Sequence, residues 1–85
     1  MPYEIIYAPS AAKTIRKLDR NVARWLLVAI GKLAEEPRPP GCIQLKGGNG
    51  ELRMHVGDYR VIYVLNDGEL VVLVLRVGHR REVYR

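Results

Sequence analysis

Alternation dominates both ends of the chain. Tyr3 to Tyr7 (YEIIY) places aromatic and β-branched residues at every second position, which predicts a short first strand ended by Pro9 and Ser10. The spacing then changes to that of a helix. Ala11, Ile15 and Leu18 recur at three to four residues, Asp19 is placed to cap a second helix, and Val22, Leu26, Ala29 and Leu33 continue the stripe. Two helices in tandem follow. Proline lacks the backbone donor and restricts the residue before it, so the run Pro37, Arg38, Pro39, Pro40, Gly41 ends the helical region and serves as a linker inside one domain.

From Glu51 onward period two returns, and three strands are predicted as a meander: Glu51 to Val56, Tyr59 to Leu65, and Leu70 to Val77. Gly57 and Asp58 suit a two-residue hairpin with glycine first, and Asn66, Asp67 and Gly68 signal a second tight connection. The last strand (LVVLVLRV) is nearly unbroken apolar, which predicts a central position covered on both faces. Helices and strands are segregated along the chain. The expected fold is therefore α+β, with two N-terminal helices packed on one face of a small antiparallel β-sheet.

If Gly57 and Asp58 form the turn, Val56 lies opposite Tyr59, His55 opposite Arg60, and Arg53 opposite Ile62. Alternation then gathers Arg53, His55 and Arg60 on one face. Leu52, Met54, Val56, Tyr59, Val61 and Tyr63 take the other, which the helices can cover. Exposed strand faces carry charge for solubility as well as for binding, so these three residues alone fit a solvated face or an anion site. The basic segment Val77, Gly78, His79, Arg80, Arg81, Glu82, Val83, Tyr84, Arg85 moves the balance toward the anion site.

Composition narrows the function classes. The 85 residues support one core and one domain, 1–85, and 48% hydrophobic with 27% charged residues is the balance of a packed protein. The net charge of +5 favours a polyanionic or acidic partner. Part of that charge, Lys13, Arg16, Lys17, Arg20 and Arg24, lies opposite much of the apolar helix stripe; it fits a contact to a phosphate backbone and fits a merely solvated face better. Trp25, beside the stripe, reads as core packing. The single Cys42 excludes an internal disulfide and suits a reducing compartment, so the cytoplasm is the expected location. Met1 to Tyr7 lacks the pattern of an export signal, and no run approaches the roughly 20 apolar residues of a membrane span. The loop Gly47, Gly48, Asn49, Gly50 matches neither a P-loop nor a dinucleotide fingerprint, which discounts nucleotide binding. Two histidines, one cysteine and scattered carboxylates show no ligand spacing, so neither metal nor cofactor is expected.

The stretches Leu45 to Gly48 (LKGG), Val56 to Tyr63 (VGDYRVIY) and Val77 to Tyr84 (VGHRREVY), in that order and spacing, resemble the RelE branch of the RelE/ParE toxin superfamily. The resemblance covers essentially the whole chain. It implies a toxin of a type II toxin-antitoxin system, held by a cognate RelB-like antitoxin. It also implies a metal-independent endoribonuclease that works on mRNA in the ribosomal A site, where the ribose 2′-hydroxyl attacks the adjacent phosphate. By the same resemblance Arg60 clamps phosphate, Arg80 stabilises charge near the leaving group, and Tyr84 stacks on or orients a base. The family's two lysines before the hairpin are replaced here by Arg53 and His55. Arginine stays protonated while imidazole titrates near neutrality, so His55 becomes the expected general base and Arg53 a phosphate contact. His79 is a candidate proton donor or RNA contact, Arg81 an RNA contact, and Lys46 either an RNA contact or a solvated loop residue. Two other readings belong to the same resemblance: a ParE-like DNA gyrase inhibitor, and a catalytically silent homologue acting only with its antitoxin.

Overall fold

The computed structural model describes residues 2–47 and 49–80. Strand β1 (Glu4–Tyr7) leads into helix α1 (Pro9–Lys17) and helix α2 (Arg20–Gly31), followed by a 3₁₀ turn at Lys32–Ala34. Four further strands complete the chain: β2 (Ile43–Gln44), β3 (Leu52–Val56), β4 (Tyr59–Asn66) and β5 (Val71–His79).

Local chemistry accounts for the boundaries. Pro9 at the start of α1 supplies a fixed φ where no amide donor is needed. Asp19 caps α2, its carboxylate accepting from the Asn21 amide at 3.1 Å. At the β3–β4 hairpin Gly57 has φ +60°, a conformation that L side chains rarely adopt. A Cβ added there would also collide with Cη2 of Trp25. Trp25 is therefore not a core residue; it is 48% exposed and its ring lies over the hairpin. Gly57→Ala is expected to lose about 1–2 kcal/mol from the backbone alone, read by urea denaturation. An unchanged midpoint would contradict that account of the turn.

The five strands form one sheet in the order β1-β5-β4-β3-β2. The expected fold holds, and the sheet is mostly antiparallel. One pair differs: β1 runs parallel to β5. The two helices carry the chain from β1 to the far side of the sheet, and the meander β3-β4-β5 returns it beside β1 in the same direction as β1. Two other features lay outside the strand pattern. The two-residue β2 pairs with Leu52 and Arg53 of β3, and β5 carries a bulge where Ile62 pairs with Arg76 but Tyr63 pairs with Val74.

The helices cover one face only. Ala11, Ile15, Leu26 and Ile30 pack with Leu33 of the 3₁₀ turn against Met54, Val56, Val61, Tyr63, Val72, Val74 and Val77. Strand β5 is an interior strand, flanked by β1 and β4, but on the side away from the helices its Val71 and Leu73 are half-buried, so the expected cover on both faces is incomplete. Tyr63 is fully buried, and its hydroxyl donates to the Pro37 carbonyl at 2.8 Å. That bond ties the proline-rich segment to the sheet. A second tie joins the same segment to the β4–β5 turn, where Arg38 donates to Asp67 at 2.9 Å and Tyr3 donates to it at 2.6 Å. No described helix is long and apolar enough to cross a membrane.

Candidate functional site

The hairpin sets the site. With Gly57 and Asp58 as its turn, Val56 pairs with Tyr59, His55 with Arg60, and Arg53 with Ile62. Met54, Val56 and Val61 are buried beneath the helices, so Arg53, His55 and Arg60 project from the opposite, open face.

Within that face Nη1 of Arg60 lies 3.2 Å from Nε2 of His55. A guanidinium is always a donor, so Nε2 accepts and the imidazole proton sits on Nδ1. Partial desolvation lowers the His55 pKa from its ordinary 6.5, and the neighbouring charges of Arg60 and then Arg53 lower it further. The ring is consequently neutral at physiological pH, with a lone pair available as soon as Arg60 shifts. His55 is exposed, and it also borders a groove of about 300 Å³ lined by Ala29, Leu33, Met54 and Val56.

Arg80 joins this end of the sheet. Its amide donates to the Asp58 carbonyl at 2.8 Å, which anchors the backbone after β5 against the hairpin turn. His79 is not brought to the group. It pairs with Tyr59, on the side of the sheet that the helices cover, and the two rings meet edge to face at 5.5 Å. Lys46 lies beyond β2, past the Leu52 end of β3 and away from the hairpin. Arg81 and Tyr84 lie outside the described residues. Arg76 is a further cation on the open face, exposed and paired with Ile62. Among the described residues no three His, Cys, Asp or Glu side chains are grouped as a metal ion would require, and Cys42 is a half-buried thiol.

A neutral imidazole beside the guanidinium of Arg60 and within the field of Arg53 is an arrangement for an anionic substrate that must lose a proton. The comparisons with known proteins bear on which one. Residues 5–84 match the family model of the ParE toxin of type II toxin-antitoxin systems, parDE. The chain belongs to this toxin family. Within the wider RelE/ParE superfamily it is similar to the toxin RelG of Mycobacterium tuberculosis, at 33% identity over 86 residues that span 100% of this chain and 99% of RelG. The fold superimposes on RelE in the archaeal RelE-RelB complex from Pyrococcus horikoshii, with a TM-score of 0.81 and 29% identity over 96% of this chain and 99% of that one. It also superimposes on the isolated Escherichia coli RelE toxin, with a TM-score of 0.77 and 30% identity over 96% and 90% of the two chains. The protein is a type II toxin of the RelE/ParE superfamily.

Proposed function

We propose that this toxin is a ribosome-dependent endoribonuclease that cuts mRNA at the codon in the A site. The observation that carries the proposal is the Arg60–His55 hydrogen bond on an open cationic face. A phosphate arriving at that face competes for the Arg60 guanidinium, which forms bidentate contacts with phosphate more readily than one contact with a neutral nitrogen. Its departure frees His55 Nε2 to take the 2′-hydroxyl proton. The 2′-oxygen then bonds to phosphorus while the bond to the 5′-oxygen breaks, leaving a 2′,3′-cyclic phosphate and a 5′-hydroxyl. Arg60 opposes the phosphorane charge, Arg53 contacts RNA phosphate, and Arg80 opposes charge on the leaving oxygen, which takes its proton from water. Tyr84 stacks on the base.

Programmed ribosomes whose A-site codon carries a 2′-deoxyribose at the scissile position test this chemistry. The deoxy codon should stay intact while the ribose codon is cut to a cyclic phosphate; cutting of both would exclude 2′-hydroxyl attack.

His55 gives the reaction a pH signature. Because its pKa lies below the ordinary 6.5, the base form persists as pH falls through that value, and activity drops only in more acidic buffer. Arg53→Gln removes one lowering charge and should move the acid limb to higher pH, whereas His55→Ala should abolish the limb. A profile unchanged in His55→Ala would remove the imidazole from the base role.

An antitoxin is the second partner. Relatives of known structure include RelE-RelB complexes, and a RelB-like protein for this toxin needs an amphipathic helix for its apolar surface with acidic residues toward the cations. The side chains of Trp25, Leu27 and Val28 on α2 are exposed and supply such surface. One specific observation favours a second reading: the matching family model is named for ParE. Inhibition of DNA supercoiling by gyrase, without mRNA cleavage, would support it.

A further inference from the structure

The geometry points to Arg76, with Arg53, as the binding site for the RNA phosphate adjacent to the one cut. This rests on the endoribonuclease reading above and extends it to a residue outside the acid-base group.

Arg76 reaches the open face only because β5 is irregular. Val72 and Val74 point into the core, and unbroken alternation would send Arg76 after them. The bulge prevents it. Tyr63 pairs with Val74 and Ile62 with Arg76, which leaves Leu75 as the additional residue and reverses the phase of everything beyond it. The displaced Leu75 carbonyl accepts a hydrogen bond from the Ser10 hydroxyl of α1 at 3.1 Å, so the bulge is fixed by a partner outside the sheet. Val77 then returns to the core, 6% exposed, and Arg76 faces outward.

Register completes the site. Arg53, Ile62 and Arg76 form one row across β3, β4 and β5, and His55, Arg60 and Gly78 form the next. Two strand spacings separate the backbones of Arg53 and Arg76, roughly 9–10 Å, a gap that two arginine side chains span from either side toward one anion. Between them Ile62 is only 4% exposed although it faces away from the helical core. An apolar floor flanked by two guanidinium groups raises the strength of each contact to phosphate, since it lowers the local dielectric. The two rows are two residues apart along the strands, about 6.6–6.8 Å, a step suited to successive phosphates of an extended single strand. The row of His55 and Arg60 takes the scissile phosphate, and the row of Arg53 and Arg76 takes its neighbour.

A residue that holds a neighbouring phosphate acts on binding and leaves the chemical step alone. Arg76→Gln is therefore expected to raise KM for programmed ribosomes about tenfold, the worth of one charge-assisted contact, with kcat unchanged. Binding of a short 2′-O-methyl RNA oligonucleotide gives an independent readout. The slope of log affinity against log salt should fall by about 0.7 in Arg76→Gln, as for one lost phosphate contact on a single strand, and Arg76→Lys should restore it. An unchanged KM and slope would overturn the assignment, as would a fall in kcat at constant KM. If the wild type cuts nothing, the salt slope decides alone. A slope reduced in Arg76→Gln then keeps the phosphate site while the nuclease reading falls.

Discussion

Arg60→Ala is expected to lower cleavage about 10²–10³-fold, the cost of removing one donor aimed at charge that develops in the transition state. The fold should survive the change. Arg60 lies on the open face, paired with His55 and Gly78, and takes no part in the core that joins helices and sheet. The substitution has two consequences that can be read separately. The phosphorane loses a cation, which lowers kcat. His55 loses the guanidinium that holds its Nε2 and depresses its pKa, so its titration should move to higher pH in proton NMR. A folded Arg60→Ala variant that cuts normally would remove Arg60 from the mechanism. A His55 titration that does not move would remove the coupling between them.

The largest stability effect is expected at Tyr63. Its side chain is fully buried in the middle of the sheet, and truncating a large aromatic in a core typically costs about 3–5 kcal/mol. Small domains are stable by only about 5–15 kcal/mol, so Tyr63→Ala should leave a barely folded protein. Tyr63→Phe separates the two contributions. It keeps the ring and leaves the Pro37 carbonyl without the donor that meets it at 2.8 Å, a loss of about 1 kcal/mol. Urea denaturation of both variants measures the division. A Phe variant as stable as the wild type would show that the Pro37 bond contributes nothing net, and a robust Ala variant would contradict the packing account.

Which parts of this architecture were legible in the sequence follows from how each is specified. The β3–β4 register was legible because a glycine-first hairpin leaves one way to pair the strands, and the alternation of Arg53, His55 and Arg60 against Met54, Val56 and Val61 agrees with it. The start of α2 was legible because Asp19 is a good cap. The parallel pairing of β1 with β5 was not, since it depends on where two helices return the chain. Arg76 was missed for a related reason. In an apolar strand such as β5 no polar alternation marks the phase, so a one-residue bulge is invisible. His79 sits beside Arg80 in sequence, but it is the last residue of β5 and its partner Tyr59 lies on the helical side. Trp25 read as core because the helix stripe has no way to record that its ring rests on a turn.

The proposed activity of the cationic face of β3, β4 and β5 is cutting of mRNA inside the ribosome. Purified protein mixed with programmed ribosomes carrying an open A site, with the messenger mapped by primer extension beside a ribosome-free control, tests it most directly. Cuts confined to the A-site codon, with none in the control, are expected of that activity. Folded protein that leaves the messenger intact on the ribosome, while inhibiting supercoiling by gyrase, would contradict it.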